Sequence, residues 1–458
     1  MKNMKPTLYT ALMLLLLCLA GCDGFVEVEV PNSQLTGKVV FENRDTANAA
    51  LIALYAKLRD NGLLAGNANG SAALLGMYAD ELLYYGNNEN ILSVSNSNLQ
   101  PLSTIALQKW SESYHQIYGA NAIIEGCSNA AALPREAADR FTGEALFIRA
   151  LVYSYLASLY GDLPYATTTN YVTNRALPRL PVAEVYQGCI GDLEQAIGLL
   201  PEQYVAAERV RPNRAAAQAL LARLYLYNGQ WAEAANTASA VLNQSEWSLE
   251  PDLTKVFLRQ STETIWQFSP QSAAFNALEG ATFIFQTGPP TFVSLRPELY
   301  EAFAEGDLRK ANWIGVKTNG TATWYHPYKY RINTNTGTST EYSVVLRLAE
   351  LYLVRAEARA RQGELVAAKG DLDTIRSRAG LPPTTAVTQQ QIIDAILEER
   401  QRELFTEFGH RFFDLKRTGR LDTTMPAFKP AWETTAQLWP IPEAEILANT
   451  NLTQNDGY

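Results

Sequence analysis

One pattern of helix, glycine and helix occurs twice in this chain, and it limits the fold more than any other feature of the sequence. Arg214 to Leu242 reads RAAAQALLARLYLYNGQWAEAANTASAVL, and Arg347 to Arg376 reads RLAELYLVRAEARARQGELVAAKGDLDTIR. Laying Gly229 on Gly363 also lays Ala222 on Ala356 and Ala234 on Ala368. Each matched residue has a physical role in a helical hairpin. The glycine releases the chain between the helices, and the alanines let two helices approach closely. Such a hairpin cannot bury its apolar face alone and must stack on neighbours. The helical period extends well beyond these two units. Ala145, Ile148, Val152, Tyr155 and Leu159 form one stripe, ended by Gly161 and Pro164, while Asn48 to Arg59, Thr104 to Cys127, Val182 to Leu200 and Gln390 to Phe408 read in the same way.

The fold class expected from this is mainly α: a scaffold of tetratricopeptide-like hairpins carrying short strands and long loops. From about residue 244 to 342 the texture changes to Thr, Asn, Gly, Ser and aromatics, with β-like runs at Ile265 to Phe268 and Thr282 to Phe285. A second polar loop spans Gly86 to Ser103. Long loops on a rigid scaffold are where binding residues concentrate.

The first residues form a different kind of segment. Lys2 and Lys5 precede an apolar run from Leu8 to Ala20, too short for a comfortable membrane span and laid out like a secretory signal. It ends Leu19-Ala20-Gly21-Cys22, which resembles the bacterial lipobox, whose cysteine is lipidated and becomes the first mature residue. Residues 1–21 are thus expected to be removed, and a multiply acylated Cys22 would hold the protein durably on a bilayer. Asp23, Glu27 and Glu29 follow, as in surface-exported lipoproteins. Cys18 leaves with the signal, so only Cys127 and Cys189 remain. They lack CxxC spacing and read as buried free thiols. The formal charge of −9 argues against a nucleic acid partner, which requires a concentrated positive field.

Four segments in order resemble the SusD/RagB family of outer-membrane nutrient-uptake lipoproteins. They are GEALFIRALVYSYLASLYGDLPY from Gly143 to Tyr165; Arg347 to Leu365 with its continuation to Pro382; EERQRELFTEFGHRFFDLKRTG from Glu398 to Gly419; and the tail from Leu438 to Tyr458, ending Gln454-Asn455-Asp456-Gly457-Tyr458. Thr418 departs from the large residue expected there. The resemblance implies an N-terminal region over 22–210 and a C-terminal region over 211–458 that includes the loop-rich insert at about 244–342. It also implies capture of an oligosaccharide, or in some branches a peptide, for a SusC-like TonB-dependent transporter at the cell exterior. The charged residues of the third segment, with Arg400, Arg411 and Arg417, read as an ion-pair network tying the last helix to the tail.

No catalytic signature accompanies these motifs. His115, His326 and His410 are widely separated, and no HExxH, GxSxG, phosphate loop or metal-ligand cluster occurs. No cofactor is expected. A surface glycoside hydrolase is the competing class, and a purely structural lid on the transporter is another. Binding without turnover asks for aromatic platforms against sugar faces and polar groups around the hydroxyl rim. Two clusters have that mixture. Asp80, Tyr84, Tyr85, Asn87 and Asn88 lead into the first loop, and Trp324 and Tyr325 lie in the β-like region with Trp313 and Phe275 nearby in sequence. Adjacent tyrosines cannot both point inward, so at least one of Tyr84 and Tyr85 should reach the surface, and Trp324 and Tyr325 should alternate across a strand.

Overall fold

The computed structural model describes residues 37–458, so the signal segment and Cys22 lie outside the described residues. The longer helices are α1 (Arg44–Asp60), α2 (Thr104–Asn129), α3 (Arg135–Tyr160), α4 (Val182–Leu199), α5 (Arg214–Tyr227), α6 (Trp231–Leu242), α7 (Leu348–Arg361), α8 (Leu365–Arg378), α9 (Gln389–Leu404) and α10 (His410–Arg417). Local chemistry fixes their starts. Asn43 caps α1, Ser103 caps α2 and Asn213 caps α5 with side-chain oxygens that accept otherwise orphaned N–H groups, and Thr388 with Gln391 forms a capping box on α9.

The two sequence repeats are hairpins. α5 packs on α6 and α7 on α8, each pair joined through a glycine in the left-handed region, φ 75° at Gly229 and 83° at Gly363. A side chain there would strain the turn. Ala222, Ala234, Ala356 and Ala368 are fully buried at the helix contacts. The stack is continuous: α2 packs on α3, α3 on α4, α4 on α5, α6 on α7, and α7 on α9. Gly161 ends α3 at φ 78°, as its position in sequence predicts.

Two sequence expectations need correction. Leu278–Phe283 is a short helix, so the Thr282 to Phe285 run is not a strand: Phe283 turns into the core while Glu279 is buried on the same turn. The helix expected to reach Phe408 stops at Leu404, because the chain turns through Thr406 and Phe408 at φ 54° and 44° before Gly409 restarts it.

The strands form two sheets. β2 (Thr264–Phe268) pairs antiparallel with β6 (Ser343–Arg347) at the foot of α7. The other sheet has the order β1 (Leu82–Tyr84), β3 (Val293–Leu295), β5 (Thr323–Pro327), β4 (Ile314–Thr318), with neighbouring strands antiparallel. It draws one strand from the N-terminal part of the chain and three from the loop-rich insert.

The arginine-rich third segment is buried, but its partners are not the tail. Arg347 reaches Glu403 at 2.6 Å, Glu263 at 3.0 Å and Glu407 at 2.8 Å. Arg309 reaches Glu399 at 2.7 Å and Glu403 at 3.0 Å, and Arg378 also pairs with Glu403. Arg417 spans to Glu357 and Asp414, and Arg400 to Asp414. The network therefore ties α9 and α10 to α7, α8 and β6. The tail is held separately, by Asn455 donating to Tyr160 and Trp439 carbonyls.

Candidate functional site

The four-stranded sheet joins the two aromatic clusters that lie far apart in sequence. Leu82 faces Leu295 and Tyr84 faces Val293 across β1 and β3, and Leu295 faces Tyr325 across β3 and β5. The Tyr85 amide donates to the Phe292 carbonyl, which extends the first pairing by one residue. Side chains alternate across a strand, so Tyr84, Leu295 and Tyr325 share one face, while Tyr85, Ser294 and Trp324 share the other. The hydroxyls of Ser294 and Tyr85 lie 3.4 Å apart, consistent with that assignment.

Each face has its own character. Tyr325 stacks on Tyr300 at 4.0 Å with planes 14° apart, and burial pushes its phenol up from the ordinary value. The Tyr84 hydroxyl accepts the Asn88 amide, and its ring lies over Gly86, where a β-carbon would come within 2.3 Å of it. On the other face Tyr85 is 38% exposed and Trp324 half-buried. The Trp324 indole lies against Gly288, where a β-carbon would fall 2.0 Å from the ring. Lys317 sits opposite Trp324 on β4. His326, next on this face, is packed by Phe285 at 5.0 Å, and burial lowers its pKa.

The remaining expected residues divide sharply. Asn87 is exposed beside Tyr85. Asn88 is exposed, but its side-chain oxygen caps the helix Glu89–Ser95. Phe275 is 43% exposed, away from the sheet, beside a small cavity of about 90 Å³ shared with Leu64 and Glu279. Asp80 and Trp313 are corrections to the expected contact surface. Asp80 is buried and receives both arms of Arg411, the shorter at 2.6 Å. Trp313 is fully buried, its indole N–H donating to the Leu253 carbonyl. Both were placed by proximity in sequence to exposed aromatics, a signal that does not tell a strand from the helix preceding it. Conversely, Gly288 belongs to this surface, against the Trp324 ring, and carried no sequence signal beyond a turn-rich texture.

Larger hollows lie elsewhere. A cavity of about 780 Å³ is walled by Lys416, Arg179 and the C-terminal tail, and another of about 460 Å³ lies beside α2. On the sheet face the accessible rings are Tyr85 and the half-buried Trp324, at the two rims, an arrangement that suits contact with separate units of a long chain better than an enclosed small molecule.

Glu81 supports the sheet from below. Its carboxyl accepts the Thr406 amide through both oxygens at 3.3 Å, so it braces the left-handed turn after α9. Burial, with Asp80 adding to it, pushes its pKa up to about 8, so the group is protonated at neutral pH. A carboxyl raised in the folded state contributes fully below its unfolded value and loses that contribution as pH rises through the folded one. Glu81→Gln should therefore match the parent to within about 1 kcal/mol below the ordinary value of 4.5. Relative to the parent it should gain as pH rises from there to about 8, with most of the gain present by neutral pH, as denaturation at the two ends of that range would read. An equal or growing deficit at high pH would show that Glu81 is charged in the fold.

With that geometry in place, the relatives are informative. The SusD family model matches residues 303–458, and a model described as starch-binding associating with outer membrane matches residues 51–226. The chain belongs to the SusD/RagB family. A SusD-like protein of Formosa agariphila is 27% identical, covering 100% of both chains, and the starch-binding protein SusD of Bacteroides thetaiotaomicron is 38% identical over 125 residues, 25% of this chain and 21% of that one. Among solved structures, a laminarin-binding SusD-like protein superposes with a TM-score of 0.78 at 26% identity, covering 91% of this chain and 100% of its own. A SusD homologue from Bacteroides thetaiotaomicron gives 0.78 at 20% identity, covering 92% and 98%, which speaks to the fold alone. The scaffold of this SusD-family chain is accordingly the helical one its repeats predict.

Proposed function

We propose that the protein is a non-catalytic glycan-binding lipoprotein, moored to the outer membrane through Cys22, that faces the exterior and passes an oligosaccharide to a SusC-like TonB-dependent transporter. The observation that carries this reading is the sheet that brings Tyr85 and Trp324 onto one face, at its two rims, with Ser294 and His326 buried between them. A half-buried indole and an exposed phenol on a rigid sheet offer apolar surface to sugar C–H faces, while Asn87 and Lys317 offer polar contacts at its edge. The starch-binding and laminarin-binding relatives support a glycan as the ligand class. Among the described residues no helix is long and apolar enough to cross a membrane.

Binding without turnover also fits the carboxylates of the third segment. Hydrolysis of a glycosidic bond needs two carboxyl groups across an open cleft. Glu399, Glu403 and Glu407 are buried, and each is engaged by arginine or lysine. The test is to incubate the chain from Cys22 onward with a panel containing laminarin, starch and peptides. Retention on a polysaccharide without new reducing ends is the expected result. Release of reducing ends would make it an enzyme, and retention on peptides alone would replace the glycan with a peptide.

A further inference from the structure

The 460 Å³ cavity beside α2 shares no lining residue with the sheet face and is built from the same kinds of chemistry. Its volume lies within the range of small-ligand sites. Trp110 and Tyr114 form one wall, their rings 5.0 Å apart, and the Tyr114 hydroxyl is spent on the Pro164 carbonyl at 2.8 Å, so these rings are fixed. Tyr118 and Tyr171 stand at the mouth with 54% and 72% of their surface exposed. Large rings left that open are not core residues. Among the described residues their hydroxyls and the Arg175 guanidinium make no hydrogen bond or ion pair, which leaves several donors unspent around an aromatic hollow. Glu445 lies half-buried in the same wall beside Trp110 and Ser111, with no lysine or arginine paired to it. Glu445 is set among Arg175 and an exposed His115, so the cavity carries both signs of charge and no strong preference for a charged ligand. A fixed Tyr114 ring backed by buried Trp110, exposed aromatic lips and free hydrogen-bonding groups instead match a neutral, hydroxyl-rich ring compound.

We propose that this cavity is a second carbohydrate subsite, taking a short neutral segment of a glycan. The inference rests on the glycan reading above and adds to it a place and a consequence. Two separate sites on one chain let a polymer engage both, so its retention exceeds that of a short oligosaccharide without any new contact.

The experiment uses the chain from Cys22 onward, with laminarin and starch and the hexasaccharides derived from each as probes, read by titration calorimetry and retention on polymer. Two hexasaccharides should bind per chain. Tyr118→Ala with Tyr171→Ala should leave one, and should weaken polymer retention roughly tenfold while the remaining hexasaccharide affinity stays unchanged. Tyr85→Ala with Trp324→Ala should leave the other site. Both tyrosines at the cavity mouth are exposed, so the fold should survive their removal. A parent stoichiometry of one that the Tyr118 and Tyr171 variant does not alter would overturn the subsite and leave the sheet reading intact. No binding of any probe would overturn both. Two intact sugar sites in that variant, together with loss of a co-purifying membrane protein, would make the cavity a docking face instead.

Discussion

Glu403→Gln should destabilise the protein by about 3–5 kcal/mol, because it leaves buried guanidinium groups without their counter-charge. Glu403 is fully buried and receives Arg347, Arg309 and Arg378, which come from β6, the Leu308–Trp313 helix and α8. One carboxylate therefore closes three elements onto α9. Burial alone would raise its pKa, but Arg378, Arg347 and Arg309 outweigh that and hold it well below the ordinary carboxylate range. Glu350 behaves similarly: burial opposes ionisation, and Arg223, bonded twice at 2.6 Å, brings it down to about 2. A carboxyl depressed in the folded state stabilises above its unfolded value and loses that contribution as pH falls toward the folded one. Acid unfolding of the parent should accordingly set in below the ordinary value of 4.5 for these groups, and denaturant titrations would follow it. The control is Glu398→Gln on the same helix. Glu398 meets Arg402 at 3.5 Å on the exposed side, so its loss should cost no more than about 0.5 kcal/mol. Equal small losses for both variants would mean that the buried arginines find water or other partners, and that the network does not hold the fold.

The contrast between those two glutamates also shows how far the sequence could be read. Both lie in one conspicuous run with helical spacing, and the one-turn spacing of Glu398 and Arg402 corresponds in the structure only to a weak, solvent-facing pair. The strong partners of Glu403 come from residues far away in the chain, where local spacing carries no information. The hairpins were legible because their requirements are local: a glycine free to adopt positive φ and alanines at the helix contact. The end of α9 was not, since the apolar and charged pattern runs on through Phe405 and Phe408 while the backbone leaves the helix to meet Glu81. The site shows the same division. Alternation along a strand told that Tyr84 and Tyr85, or Trp324 and Tyr325, must part company. Only the pairing of β3 with both β1 and β5 says that Tyr85 and Trp324 end on the same side. Asp80 looked like a ligand contact because nothing in its neighbourhood announced Arg411 as its partner.

Trp324→Ala should weaken glycan binding about 30-fold, the equivalent of roughly 2 kcal/mol for loss of an aromatic anchor. The indole is half-buried, so its orientation is set by the protein before any ligand arrives, and little freedom is lost when a sugar ring settles on it. Gly288 sets that orientation. A β-carbon there would fall 2.0 Å from the indole, and the ring would have to move. Gly288→Ala should thus reproduce much of the Trp324→Ala loss without touching any atom that contacts ligand, whereas a platform free to swing would tolerate it. Tyr85→Ala should weaken binding less, since an exposed phenol brings more freedom to be lost. Phe275→Ala provides the counter-case: the ring is as exposed as Tyr85 but lies off the sheet, and affinity should not change. Asp80→Asn should act through stability instead, by unpairing Arg411, and should leave the affinity of the folded fraction as it was. Calorimetry on these variants with the hexasaccharide that the parent binds best separates the cases. Full affinity in Trp324→Ala and Gly288→Ala, with a loss in Phe275→Ala, would move the binding surface from the sheet to the loops beside α1.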